Sequence, residues 1–465
     1  MTDLSSTDVT ETVRRTTAGE LTARGVVDEA LARIAELDPP LNAFSVVLAD
    51  RARAEADGRD AMLAEGGTPG PLHGVPIAIK EEVDVAGTVT TFGGEANETP
   101  VAADAEIVRR LRAAGAVVVG KTTMPEFGAF PYTESASRGV TRNPWDSTRT
   151  PGGSSGGTAV AVSAGMVPVG IGGDGGGSIR IPSACCGLFG LKPQRGRVTT
   201  APHPHLWWAL GTAGPLTRTV RDSALVYDVI RGNVEGDLYR AGGDASFVEA
   251  AGREPGRLRI GWTTRPVTVG VRPDPVHVRA VEETARLLTD LGHHVREVDP
   301  RYPDPTAAFV PQFFAGIRSE AELVEHRDRL ERRTRETCRL GAWVTPRVRD
   351  WALTETDKVS AKANRVFDDV DVLLTPTIAH RPPRVGRLDG VGTVRASLRA
   401  MPAIAYAALW NVAGNPAAAV PCGTGPDGLP TSVQLVGRTD DEATLFSVSA
   451  QIEAARPWPL LAGDR

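Results

Sequence analysis

Between residues 26 and 37 the apolar positions Val26, Val27, Ala30, Leu31, Ile34 and Leu37 recur on one helical face, and the Asp38-Pro39-Pro40 run predicts where that helix stops. A second, more polar helix is expected over 50–65. The period then changes. Residues 75–79 form an unbroken apolar run, too short for a helix, and read as a buried strand that ends at Lys80. Asp104 is read as the cap of a helix that Gly115 closes, with a strand over 116–119 after it. A Gly-Ser loop at 152–157 leads into a small-residue helix to about 165, a strand over 167–171, a second glycine loop, and a helix beginning near Ser178. Further on, 275–291 is amphipathic, with Asp274 as cap and Gly292 as stop, and 372–374 and 432–436 read as strands.

Strands interleaved with helices argue for the α/β class, a central sheet covered by helices. No linker-like stretch separates residues 70–225 from 400–440, which share a Gly- and Pro-rich texture, so the chain reads as one large domain over 1–465. The more charged segment at about 233–380 reads as an elaboration of it.

Composition narrows the function. The 50 glycines and 35 prolines follow no period, which removes collagen, coiled-coil and solenoid readings. A net charge of −5 gives no general attraction for nucleic acid or an anionic membrane. Uncharged stretches at 150–173 and 400–426 are broken by glycine and proline and do not read as membrane spans. The first fifteen residues lack an apolar core and do not read as a secretory signal. Cys185, Cys186, Cys338 and Cys422 form no CxxC pair, and the eight histidines make no cluster, so no disulfide framework, metal or other cofactor is expected, and a reducing cytoplasm fits best.

The basic residues hold the most informative imbalance. Of 52, five are lysine and 47 are arginine. A lysine that survives in an apolar setting is a candidate for work arginine cannot do, because a desolvated ammonium can lose its proton near neutral pH and a guanidinium cannot. Lys80, ending GVPIAIK (74–80), fits that description. Two glycine loops accompany it, PGGSSGG (151–157) and GGDGGGSIR (172–180). A hydroxyl nucleophile needs a base for its proton and donors for the developing oxyanion, and a glycine turn feeding a helix supplies such donors through its backbone N–H groups. Gly175, Gly176, Gly177 and Ser178 fit that role, with Ser178 as nucleophile and Asp174 and Arg180 as a charge pair fixing the loop. Ser154 and Ser155 could sit between Ser178 and a neutral lysine.

Together these segments resemble the amidase signature family of serine hydrolases. The resemblance runs through LHGVPIAIKEEVDVAG (72–87), NPWDSTRTPGGSSGGTAVAVSAG (143–165), GDGGGSIRIPSACCGLFGLKPQRGRV (173–198), GPLTRTVRD (214–222), NVAGNPAAAVP (411–421) and GLPTSVQLVG (428–437). It implies a mixed central sheet with helices on both sides, and a catalytic set of Lys80, a cis-serine at Ser154 and the nucleophile Ser178, with Ser155 in support. It also implies a small-molecule amide as substrate, with no nucleic acid or membrane partner and a homodimer left open. Glu81 stands where an aspartate is usual, Gly173 where a threonine is common, and Thr123 where an asparagine is frequent. Phe127, Trp207 and Trp208, and beyond them Phe313 and Phe314, are candidate pocket walls, favouring an uncharged aryl or medium-chain amide.

Other readings are weaker. Gly153 to Gly157 satisfies G-x-S-x-G and would make Ser155 a nucleophile-elbow serine, but the preceding NPWDSTRTP is no buried strand. GGSSGG lacks the lysine of a phosphate-binding loop. A non-catalytic homologue predicts loss of a triad residue, and none is lost. An amidase subunit of a tRNA-dependent amidotransferase shares the triad but needs partner subunits.

Overall fold

The computed structural model describes residues 7–463, so the start of the N-terminal segment read above lies outside the described residues. Thirteen strands occur in chain order: β1 Phe44–Val47, β2 Pro76–Lys80, β3 Val117–Thr122, β4 Glu134–Ser135, β5 Gly139–Val140, β6 Val169–Gly173, β7 Phe189–Lys192, β8 Ala213–Thr217, β9 Arg259–Trp262, β10 His294–Glu297, β11 Val372–Pro376, β12 Ala417–Thr424 and β13 Pro430–Gly437. Eleven form one sheet in the order β1-β3-β2-β6-β8-β7-β12-β13-β11-β9-β10, while β4 and β5 pair apart from it. The sheet is mixed. β2 runs parallel to β3 and β6, and β9 parallel to β10 and β11, whereas the strands between β6 and β11 are joined antiparallel.

Alternation along the strands divides the core between two faces. Ile77, Ile79 and Val118 face a layer built with helices Val220–Ile230 and Glu442–Ala455, and Ala78, Val117 and Val119 face a layer that includes helix Gly156–Ser163. At the other end Leu374 and Leu435 join the first layer, while Leu373 and Val436 meet a third apolar cluster containing Trp410 and Phe367. Helices therefore cover both faces, and β9, β10 and β11 of the middle segment extend the same sheet. No helix among the described residues is long and apolar enough to cross a membrane.

Three sequence expectations are corrected. Asp38-Pro39-Pro40 does not stop the first long helix, which runs Ala23–Leu41 and ends at Asn42 in the left-handed region. Asp38 makes this workable: its carbonyl accepts the Asn42 N–H at 2.7 Å and its carboxylate accepts from Ala43 at 2.6 Å and Phe44 at 3.1 Å. Asp104 does not cap helix Glu106–Ala113. Its carboxylate instead accepts the Ala86 N–H at 2.8 Å and pairs with Arg112 at 3.0 Å. Asp274 does occupy the N-cap position of helix Pro275–Asp290, but its side chain accepts the Arg381 N–H at 2.9 Å instead of capping.

Candidate active site

β2 ends at Lys80 and its parallel neighbour β6 ends at Gly173, with Ile79 level with Ile171, so both chains leave the sheet on the same edge. That is the edge where open α/β sheets bind ligands. Helix Gly156–Ser163 begins two residues after Ser154, and helix Arg180–Cys186 begins two residues after Ser178. The Ser155 N–H donates to the Ser178 carbonyl at 3.3 Å, which binds the two loops together.

Lys80 is buried, 1% exposed, and its Nζ lies 2.8 Å from Ser154 Oγ. The Gly153–Ser154 peptide is cis. Space around this serine depends on missing side chains: a Cβ on Gly128 would stand 2.9 Å from Ser154 Oγ. Ser155 is wholly buried, and its Oγ is shared at 3.2 Å with both the N–H and the carbonyl of Gly173, so it ties the loop to the end of β6.

Burial alone does not single out Lys80. Lys121 and Lys192 are equally enclosed, whereas Lys358 and Lys362 lie exposed on helix Pro346–Ala363. What separates the three buried lysines is the company of each Nζ. Lys121 donates to the Val89 carbonyl at 3.1 Å and Thr90 Oγ1 at 3.2 Å, and Lys192 to the Pro193 carbonyl at 2.7 Å. Burial drives both of these groups below the ordinary lysine range, Lys121 to about 8. Lys80 alone among them meets a serine hydroxyl and, at 3.0 Å, the carboxylate of Glu82.

Glu82 was missed in the sequence. The two strand-end carboxyls go different ways: Glu81 turns to Thr91 and to Arg138, 3.3 Å away, while Glu82 turns to Lys80. The signal was present in the spacing, since residues two apart at a strand end point to one side.

Asp174 and Arg180 form the anticipated pair, 3.0 Å apart with both side chains fully buried. Burial alone would raise the Asp174 carboxyl, but the guanidinium and Asn411 outweigh it and hold the group below the usual carboxylate range. Asp174 also receives the N–H groups of Gly177 at 2.7 Å and Ile179 at 3.2 Å. The Gly177 N–H is thus spent on structure. Those of Gly175, Gly176 and Ser178 have no acceptor among the described residues and are the ones free for an oxyanion.

Ser178 is partly exposed and lines a cavity of about 480 Å³ with no charged residue in its wall. Trp207, Phe309, Phe313, Phe314 and Met401 supply much of that wall. Of the anticipated wall residues, Trp207, Phe313 and Phe314 are present. Phe127 and Trp208 are not: Phe127 is buried against Phe92 with ring centroids 5.7 Å apart, and Trp208 stacks on His205 at 4.0 Å. Phe309 was not foreseen, because only the course of helix Thr306–Leu323 over the glycine turn brings it to within 3.3 Å of where a Gly176 Cβ would sit.

The mixed α/β sheet thus brings a serine–lysine pair and a donor-rich glycine turn together on one edge. The chain belongs to the amidase family, whose sequence model matches residues 25–446. AmiB2 of Mycobacterium tuberculosis, named as an amidase, is 48% identical over 98% of this chain and 98% of its own. Among solved structures, 6-aminohexanoate cyclic dimer hydrolase bound to its substrate is 30% identical with a TM-score of 0.91, covering 98% of each chain. A bacterial aryl acylamidase of the amidase signature family is 27% identical with a TM-score of 0.89, covering 99% of each.

Proposed function

We propose that this amidase works through Ser178 as nucleophile, Ser154 as proton relay and Lys80 as the base, on uncharged amides with an aryl or medium-chain apolar group. The observation that carries the reading is the 2.8 Å contact between Lys80 Nζ and Ser154 Oγ, in a loop bound to the one that carries Ser178. Ser178 Oγ attacks the amide carbonyl as its proton passes through Ser154 to a neutral Lys80. The N–H groups of Gly175, Gly176 and Ser178 receive the oxyanion. Collapse returns the proton through Ser154 to the leaving amine, and water then cleaves the acyl-enzyme. The uncharged wall around Ser178 supports the substrate class, since it offers no partner for a charged acyl group. No step calls on a partner subunit, and a monomer or homodimer suffices. Four free cysteines, none in a disulfide, support a reducing compartment such as the cytoplasm.

The test is a fluorophosphonate, which phosphonylates an activated serine with loss of fluoride. Peptide mapping by mass spectrometry is expected to find the adduct on Ser178, with hydrolysis of aryl amides in the absence of ATP. An adduct on Ser155, or turnover only with ATP or added subunits, overturns the reading.

A further inference from the structure

One carboxyl lies against Lys80 Nζ, and a second lies within its electrostatic reach. Glu82, on the turn after β2, lies 3.0 Å away and is 12% exposed. Glu320, on helix Thr306–Leu323, has Glu82 and Lys80 among its electrostatic neighbours. The other charged side chains nearby are engaged elsewhere: Glu81 with Thr91 and Arg138, Lys121 with Val89 and Thr90, and Asp174 with Arg180.

The place Glu82 occupies exists because of a second residue. A Cβ on Gly173 would run directly into Glu82 Oε1, so the carboxylate sits where any side chain at the end of β6 would project. Threonine, common at that position in the resemblance drawn from the sequence, would close the space. Glu82 and Gly173 are therefore a matched pair: the missing side chain of one admits the charge of the other to the lysine.

We propose that Glu82 is a positioning residue for the lysine base, admitted by Gly173, which holds Nζ against Ser154 and stabilises the ammonium formed when the relay proton arrives. This rests on the assignment of Lys80 as the base. With Lys80 as the base, prior protonation of Lys80 would give activity an acid limb, and the ammonium also forms in every acylation step as Ser154 gives up its proton. A carboxylate at 3.0 Å favours it in both settings. The plateau rate gains, and the acid limb moves to higher pH. Glu320 does not add a second negative charge over most of this range: burial, and then the neighbouring Glu82, push its carboxyl up to about 8, so below that pH it remains a neutral acid.

The experiment is the pH profile of kcat/KM for wild type, Glu82→Gln and Gly173→Ala. Glutamine keeps the shape and removes the charge. Alanine keeps the charge but displaces the carboxylate from its present position. Both variants are expected to move the acid limb down by about one pH unit and to lower the plateau. A purely structural role for Glu82 would lower activity at every pH with the limb unmoved, and that result in folded Glu82→Gln overturns the proposal. Should Gly173→Ala fail to fold, Glu82→Gln decides alone. Lys80→Ala separates the two readings: if it retains the wild-type rate the base assignment has failed, whereas an inactive Lys80→Ala with an unmoved limb in Glu82→Gln removes only the role of Glu82.

Discussion

The proposed function requires Lys80 to accept a proton, and at the scale of single residues that requirement can be isolated. Lys80→Arg keeps the positive charge and can keep the ion pair with Glu82, yet a guanidinium cannot act as a base near neutral pH. The variant is expected to fold and to keep less than about a tenth of wild-type kcat/KM, since loss of a general base typically costs about 10²–10⁴ in rate. A folded Lys80→Arg enzyme above that level would make the lysine structural. A second residue tests burial without touching the chemistry. Glu126 is buried, its carboxylate accepts the Glu331 N–H at 3.0 Å, and burial pushes its carboxyl up to about 7. Between about pH 4.5 and 7 the folded protein holds this proton while the unfolded chain has released it, so the contribution to stability falls as pH rises through that window. Glu126→Gln keeps an acceptor and removes the ionisation. Thermal unfolding at pH 5 and pH 8 should show a smaller loss with rising pH in the variant than in wild type.

Elements decide what the cavity accepts. Helix Thr306–Leu323 presents Phe309 and Phe313 as near-parallel rings with centroids 6.3 Å apart, and Trp207 meets Phe313 edge-on at 5.4 Å. Phe313→Ala opens that wall. It is expected to lower kcat/KM for an aryl amide about tenfold, and for acetamide by less than about threefold, because the smaller amide does not reach the ring. Equal losses on both substrates would place Phe313 in the scaffold and not in the pocket. The strands that carry the chemistry were legible in the sequence because apolar runs of four to six residues between glycines and prolines have few other uses. β2 and β6 appear within two residues of the expected bounds. The helix caps were less legible. Asp38, Asp104 and Asp274 all look like caps or stops in one dimension, but a carboxylate accepts from whichever N–H the fold brings near it, and those donors come from Ala43, Ala86 and Arg381. The triad candidates could be named from local motifs. Glu82 was readable from its spacing to Lys80 but was not singled out, and Phe309 could not be placed, since it depends on a helix that returns from more than 100 residues away.

Across the whole molecule, Arg180 joins parts of the chain that the sequence separates by more than 200 residues. Its guanidinium holds Asp174 and also donates to Gln434 at 2.8 Å, to Asn411 at 2.6 Å and to the Ala407 carbonyl at 3.2 Å. Asn411 in turn donates to the Asp174 carboxylate at 2.8 Å. Asp174→Asn leaves this buried guanidinium without its counter-charge and is expected to cost about 3–5 kcal/mol, read as a lower urea midpoint, with activity lost as the glycine turn loosens. Wild-type stability in that variant would mean that the polar network holds Arg180 without the charge. The distribution of lysines has a practical consequence. Three of the five amines are sealed inside, and the two exposed ones, Lys358 and Lys362, lie four residues apart on helix Pro346–Ala363. Coupling to a resin or sensor chip through lysine side chains would therefore grip the folded enzyme by that one helix, giving tethered molecules a nearly common orientation without any engineered tag.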